Sequence, residues 1–249
     1  MKEQMKINPT ELKEVKTELM RFFMGYRFAL DQMKTKIDTL KSEFKHIHDY
    51  NPIEHVTSRI KSPESIMRKV HKKNCPFTIE GIRENIRDIA GLRITCSFET
   101  DIYVLRDMLQ KHRDIKIIEE KDYIKNPKGN GYRSLHLIIA VPVFMSDREE
   151  EVLVEVQIRT IAMDFWATLE HKIYYKYNKD IPNHIKLELT EAATVAHQLD
   201  KKMEALHTEM NVIKANNQAE NELEVLELDG EQFHLPTNFL DQLNRVNWI

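Results

Sequence analysis

Apolar residues recur at alternating three- and four-residue steps along the N-terminal part of the chain: Leu12, Val15, Leu19, Phe22, Tyr26, Leu30, Met33, Ile37, Leu40, Phe44 and Ile47. That spacing keeps one stripe on one side of a long α-helix, which Pro9-Thr10 starts. The same steps return at Ala192, Ala196, Leu199, Met203, Leu206, Met210 and Ile213, predicting a second long helix. Stripes of this length need cover from the middle of the chain, from each other or from a second subunit. Between them the period shortens to two. Residues 134–143 and 152–159 read as strands, joined as a hairpin across the polar turn at 145–150. Alternation in the second strand sends Val154, Val156 and Ile158 to one face and Glu155, Gln157 and Arg159 to the other, and the first strand sets Ser134 and His136 together likewise. The polar face is either the floor of a site or a solvated sheet surface.

The remaining elements follow from local signals. Ser62-Pro63-Glu64 starts a helix within a basic stretch that holds Arg59, Lys61, Arg68, Lys69, Lys72 and Lys73. Arg59, Lys61, Ser65 and Lys69 share a side there that suits an anionic ligand, and a solvated basic helix accounts for the same charges. In residues 88–94 Asp88 stands at the foot of a strand from which Arg93 projects. Thr100 is expected to cap a helix that runs to His112, residues 115–119 to form a strand, and residues 122–127 to lead into a glycine turn. A helix over 160–177 carries Asp164, Trp166, Glu170, His171, Tyr174 and Tyr175. In the tail, residues 223–228 and 232–235 alternate as a small hairpin about Asp229-Gly230, with a short helix at 237–246. The predicted class is α/β (α+β), a mixed sheet of about five strands flanked by helices. The organisation read from it is an N-terminal helical segment (1–50), a catalytic domain (51–180), a C-terminal helix (181–220) and a tail (221–249).

Composition narrows the class further. The 249 residues are 41% hydrophobic and 31% charged with a net charge of −3, ordinary for a soluble globular protein and unlike a base-coated binder of duplex DNA. Neither a membrane-spanning apolar run nor a signal-peptide core is evident, which points to the cytosol. Cys75 and Cys96 have no metal-ligand spacing and are expected to be buried thiols. The chemistry concentrates at residues 128–134, Lys-Gly-Asn-Gly-Tyr-Arg-Ser. Its glycines let a ligand approach the main chain, and the ring of Tyr132 beside Arg133 offers a stacking surface next to a phosphate binder.

Asp88-Ile89-Ala90-Gly91-Leu92-Arg93, Asn130-Gly131-Tyr132-Arg133-Ser134-Leu135-His136 and Glu155-Val156-Gln157-Ile158-Arg159-Thr160 together resemble the synthetase domain of the RelA/SpoT family. The similarity runs over residues 51–177, and the flanking helices look like those of the family's short members, the small alarmone synthetases. The resemblance implies a nucleotidyltransferase-like fold, a homotetramer, and Mg²⁺-dependent transfer of the ATP β,γ-diphosphate to the 3′-hydroxyl of GDP or GTP. Asp88 and Glu155 would hold the metal, with Glu155 also receiving the hydroxyl proton. Arg59 and Arg93 would sandwich adenine, and Lys61, Ser65 and Lys69 would hold the ATP phosphates. Tyr132 would stack on guanine, Lys128, Arg133 and His136 would follow the acceptor phosphates, and Gln157 would lie near the ribose.

Asp164 is placed to accept both the N1 and N2 hydrogens of guanine, or else to cap its own helix. His48-Asp49 resembles a metal pair of the family's hydrolase domain, but the helical segment around it cannot supply the other ligands, so synthesis without hydrolysis is expected. Another nucleotidyltransferase, or a non-catalytic module that binds nucleotides or RNA, remains open at this level, as does a regulatory nucleotide or metal at a second site.

Overall fold

A computed structural model describes residues 9–48, 50–175, 181–217, 225–228 and 231–234. Asp49, Tyr177 and the expected helix at 237–246 lie outside these residues.

The first stripe forms α1 (Pro9–Ile47), and from Phe22 to Phe44 its apolar side is buried. It packs across a five-stranded sheet made of β1 (Ile53–Ile60), β2 (Ala90–Cys96), β3 (Lys116–Asp122), β4 (Leu135–Phe144) and β5 (Glu149–Thr160). The strand order is β1-β2-β5-β4-β3, with β2 and β5 parallel and the other neighbours antiparallel. The sheet is therefore mixed. Between the strands lie α2 (Pro63–Lys73), α3 (Ile79–Asn85) and α4 (Glu99–Lys111), and α5 (Ile161–Tyr175) and α6 (Asn183–Asn217) follow. Leu92 and Ile94 of β2, Leu137 and Ile139 of β4, and Val154, Val156 and Ile158 of β5 join α1 and α4 in one core. Period-two alternation leaves the other sheet face polar.

Several expectations need correction. Residues 53–60 form an edge strand, so Arg59 stands on β1, just ahead of the Ser62 cap of α2, and α3 is a further helix. Thr100 lies inside α4 and does not cap it. Phe98 is the cap residue, and its amide donates to Asp101 Oδ2 at 2.9 Å. Thr100 instead donates through both its amide and its hydroxyl to Glu204 of α6. Cys96 is buried as expected, but Cys75 is only half-buried. The tail alternation does form a hairpin, β6 (Val225–Leu228) with β7 (Glu231–His234). Among the described residues no helix is long and apolar enough to cross a membrane.

Candidate active site

Strand register assembles the polar face into two rows. One row runs Arg59, Gly91, Glu155, Ile138 across β1, β2, β5 and β4, and the next runs Thr57, Arg93, Gln157, His136, Lys121 as far as β3. Residues far apart in sequence become neighbours because side chains opposite one another on adjacent strands leave the same face. Thr57, Arg59, Gly91, Arg93, Glu155 and Gln157 line a cavity of about 270 Å³ on this face. A larger cavity, of about 930 Å³, lies between α5, α6 and the Tyr50–Glu54 segment. Its lining is mainly apolar and includes no lysine or arginine, so charge places phosphate chemistry in the smaller one.

The acid of the site stands where β2 begins. Asp88 Oδ2 accepts hydrogen bonds from Lys61 Nζ at 2.7 Å and Lys69 Nζ at 2.6 Å, bringing together the end of β1 and the second turn of α2. Ser62 caps α2, accepting from the Ser65 amide at 3.3 Å, and this fixes the helix that carries Ser65 and Lys69. Burial pushes the Asp88 carboxyl up, but the two ammonium groups outweigh it and hold it below the usual carboxylate range. Its Oδ1 is buried without a partner.

Glu155 is held by its neighbours in the second row. Its Oε2 accepts from Gln157 Nε2 at 3.0 Å, and its Oε1 lies 3.5 Å from His136 Nδ1. Burial raises its pKa and the charge of Asp88 adds to that, but His136 and the Gln157 bond together outweigh them, so the net position is below the usual range. Two acids that feel each other and both stay ionised, one with an unshared buried oxygen, fit a hard divalent cation. Mg²⁺ takes one or two carboxylates and fills its other positions with water and phosphate oxygens. Among the described residues no group of three or more His, Cys, Asp or Glu is placed to cage an ion.

The glycine turn closes the other side. Gly131 has φ +85°, a conformation that strains any residue with a Cβ, and an added Cβ there would lie 2.5 Å from Ala193 Cβ of α6. Lys128 Nζ stands 4.5 Å and 4.6 Å from the ring centres of Tyr123 and Tyr132. Tyr132 Oη accepts from Arg159 Nη2 at 2.6 Å and lies 2.7 Å from His136 Nε2. With the tyrosine proton directed to Nε2, the remaining imidazole proton on Nδ1 faces Glu155. Arg159 also donates to Gln157 Oε1 at 2.9 Å and pairs with Asp164 at 3.1 Å, while Arg93 reaches the same Asp164 oxygen at 3.4 Å. Asp164 does not cap α5, because Thr160 Oγ1 accepts the Met163 amide in that place.

Eleven of the thirteen residues singled out in the sequence border this face or its rim; the Ser65 hydroxyl is bonded to Ser62 and Arg68 one turn before Lys69, and Arg133 lies elsewhere. Its guanidinium donates to the Ile124 carbonyl at 2.6 Å and lies in a crevice with His197 and Asp200, behind the turn. Lys121 and Tyr123 were missed. Lys121 lies opposite His136 in the register, and the Tyr123 ring stands 5.2 Å from the His136 ring. Alternation counted from the core-facing Ile117 puts Lys121 on the core side; the register shift between Ile117 and Glu119 turns it to the His136 face, and no residue pattern announces that shift.

Residues 58–180 match the model for the region found in RelA/SpoT proteins. The chain is 51% identical over 201 residues to the GTP pyrophosphokinase YwaC of Bacillus subtilis, covering 81% of this chain and 96% of that one. It superposes with a TM-score of 0.72 on the crystal structure of small alarmone synthetase 1 from Bacillus subtilis bound to its product pppGpp, at 40% identity over 77% of this chain and 97% of that one. Small alarmone synthetase 2 from the same organism gives 0.68 at 53% identity, over 74% and 96% of the two chains. The motif carriers, the mixed sheet and these matches agree, and the chain belongs to the RelA/SpoT family, alongside the small alarmone synthetases.

Proposed function

We propose that the protein is a GTP pyrophosphokinase that moves the β,γ-diphosphate of ATP to the ribose 3′-hydroxyl of GDP or GTP, producing ppGpp or pppGpp and AMP. The observation that carries this reading is the meeting of two ionised acids, Asp88 and Glu155, with Arg59 of β1, Lys69 of α2 and Arg93 of β2 at one polar sheet face. The cations attract phosphates, but the two carboxylates repel them unless a metal intervenes, and phosphoryl transfer needs that neutralisation. Asp88 and Glu155 would hold Mg²⁺, which supplies charge stabilisation at the transferring phosphates.

The residues then divide by side. Arg59 on β1 and Arg93 on β2 flank the cavity and would take adenine between their guanidinium planes. Lys61, Ser65 and Lys69 would receive the ATP phosphates, the two lysines exchanging part of their hold on Asp88 for phosphate oxygens. Tyr132 would stack on guanine, Lys128 and His136, joined by Lys121, would line the acceptor phosphates, and Gln157 would lie at the ribose. Arg133 braces the turn from behind.

In the reaction the 3′-oxygen bonds to the β-phosphorus of ATP, the bond from that phosphorus to the α,β-bridging oxygen breaks, and the oxygen leaves with AMP. The hydroxyl proton passes to Glu155, which is ionised when the acceptor arrives. A loose transition state asks little basicity of it.

Residues 51–180 would form the catalytic unit, with residues 1–50 and 181–220 as the helices that support it and associate copies into a tetramer. Incubation with ATP, Mg²⁺ and GDP or GTP, followed by anion-exchange chromatography, should give AMP and a guanosine product carrying two added phosphates. Release of pyrophosphate would indicate nucleotidyl transfer and overturn the reading. Nucleotide binding without turnover, indifferent to Mg²⁺, would favour a binding module.

A further inference from the structure

Behind the acceptor turn runs α6, and its buried acid, Asp200, takes no part in the chemistry above. Asp200 is 8% exposed, and its Oδ2 accepts a hydrogen bond from Thr160 Oγ1. Thr160, the last residue of β5, is wholly buried, and its hydroxyl also accepts the Met163 amide at 3.2 Å. A hydroxyl has one proton. Since the amide takes a lone pair, that proton goes to Asp200, and the acid fixes the rotor that caps α5.

The junction held in this way bears the acceptor side of the site. Arg159 precedes Thr160 by one residue and Asp164 follows it by four, and their ion pair at 3.1 Å orients the guanidinium that donates to Tyr132 Oη. The same helix face meets the glycine turn, because Ala193 fills the space that a Cβ on Gly131 would need. Trp166 of α5 adds a bond from its indole nitrogen to the Leu189 carbonyl of α6 at 2.9 Å. Of the groups proposed for the ATP phosphates and the adenine, Arg59, Lys61, Ser65 and Lys69 lie instead on β1, α2 and the link between them, and Arg93 of β2 meets the junction only at Asp164, at 3.4 Å.

We propose that Asp200 is a positioning residue for the acceptor half of the site: through the Thr160 hydroxyl it sets the first turn of α5, and with it the Arg159–Asp164 pair against which Tyr132 rests. The proposal rests on the assignment of Tyr132 and Asp164 to the guanine acceptor. Charge strengthens the bond, since a carboxylate accepts more strongly than a neutral carboxyl. Burial pushes the Asp200 carboxyl up to about 6; Glu99 of α4 and Glu204 of α6 push the same way, and the Thr160 bond and Lys201 pull it down. His197 on α6 and Arg133 behind the turn complete the charged surroundings.

The test uses the full chain with GDP varied at saturating ATP and Mg²⁺, ATP varied at saturating GDP, and thermal melting of each variant. Asp200→Ala should raise the KM for GDP about tenfold with the KM for ATP within about twofold. Asp200→Asn keeps an oxygen for Thr160 and should restore the GDP value to within about threefold of wild type. The wild-type kcat/KM for GDP should fall as the pH drops through about 6, and this limb should flatten in Asp200→Asn. A merely structural residue would lower the melting temperature and the active fraction and leave both KM values alone. An unchanged KM for GDP in Asp200→Ala, or an equal rise in both KM values, overturns the proposal. Should Asp200→Ala not fold, Thr160→Val removes the same bond from its other end, and the same two outcomes decide. A wild-type protein that makes no guanosine product would overturn the acceptor assignment itself, which these comparisons between variants leave separate.

Discussion

At the scale of residues, the proposed function turns on the two acids of the sheet face. Both hold pKa values below their ordinary ones, Asp88 through Lys61 and Lys69 and Glu155 through His136. A carboxylate depressed on folding adds stability above its unfolded pKa, and that stability is lost as the pH falls through the folded value. Asp88→Asn and Glu155→Gln keep the side-chain volume and remove one charge each. Either should lower synthesis at saturating Mg²⁺ by about a thousandfold or more, with the folded circular dichroism spectrum retained. The acid-side loss of melting temperature should also be smaller than in wild type, and near-normal turnover in either variant would end the metal assignment. Asp164 gives a second test. Its carboxylate receives Arg159 and Arg93, so it would offer guanine an acceptor already held in place. Asp164→Asn should raise the KM for GDP, and Asp164→Ala should raise it further while weakening selection of guanine over adenine. Equal KM values for GDP in wild type and Asp164→Ala would remove the recognition role. Asp88 and Glu155 were legible through the motifs that carry them, whereas Asp164, in a first helical turn, could also be read as a cap, a place that Thr160 Oγ1 takes in the fold. Arg133 misled because adjacency to Tyr132 in sequence says nothing about which side of a turn a side chain leaves.

At the scale of elements, the long apolar periods and the β4–β5 hairpin could be read directly, whereas β1 and α3 could not. β1 is an edge strand whose outer face belongs to the site, so His55, Thr57 and Arg59 stand where a structural strand would show an apolar alternation. α3 has seven residues and holds Gly81, which reads as a turn; in the fold a Cβ there would lie 2.6 Å from the Pro76 carbonyl oxygen. The start of α2, by contrast, was explicit in Ser62-Pro63-Glu64. Its cap is a single hydrogen bond from the Ser65 amide to Ser62 Oγ. Ser62→Ala should therefore cost about 1 kcal/mol and lower the melting temperature by about 2–4 °C. Because the frayed turn carries Ser65 and precedes Lys69, the KM for ATP should rise with the KM for GDP unchanged. A melting temperature equal to wild type would show that the proline alone holds the helix start.

For the whole molecule, the stripes raise the question of what covers them. The second half of α1 answers it within the chain, since Phe22 through Phe44 pack on the sheet, and α6 rests one side on α5. The rest stays in water. Leu12, Val15 and Leu19 of α1 are exposed, as are Leu199, Met203, Leu206, Met210 and Ile213 of α6, with Ile161 and Phe165 of α5 across the groove from Leu199 and Met203. The sequence could show that each helix has an apolar side, but not which turns reach past the sheet, because that depends on how far a helix of 39 residues overhangs five strands. At about 1.5 Å per residue α1 is longer than a five-stranded sheet is wide. Apolar patches this continuous mark an interface in soluble proteins, and closed symmetry lets identical copies cover one another. Light scattering should accordingly give a mass near four times the 29.6 kDa chain. Leu199→Glu with Met203→Glu puts two charges at the middle of the α6 face and should lower that mass without changing the melting profile of the sheet. A monomer mass for the wild type across the micromolar range would refute association. An unchanged mass in the double variant would move the interface from α6 to the overhanging turns of α1.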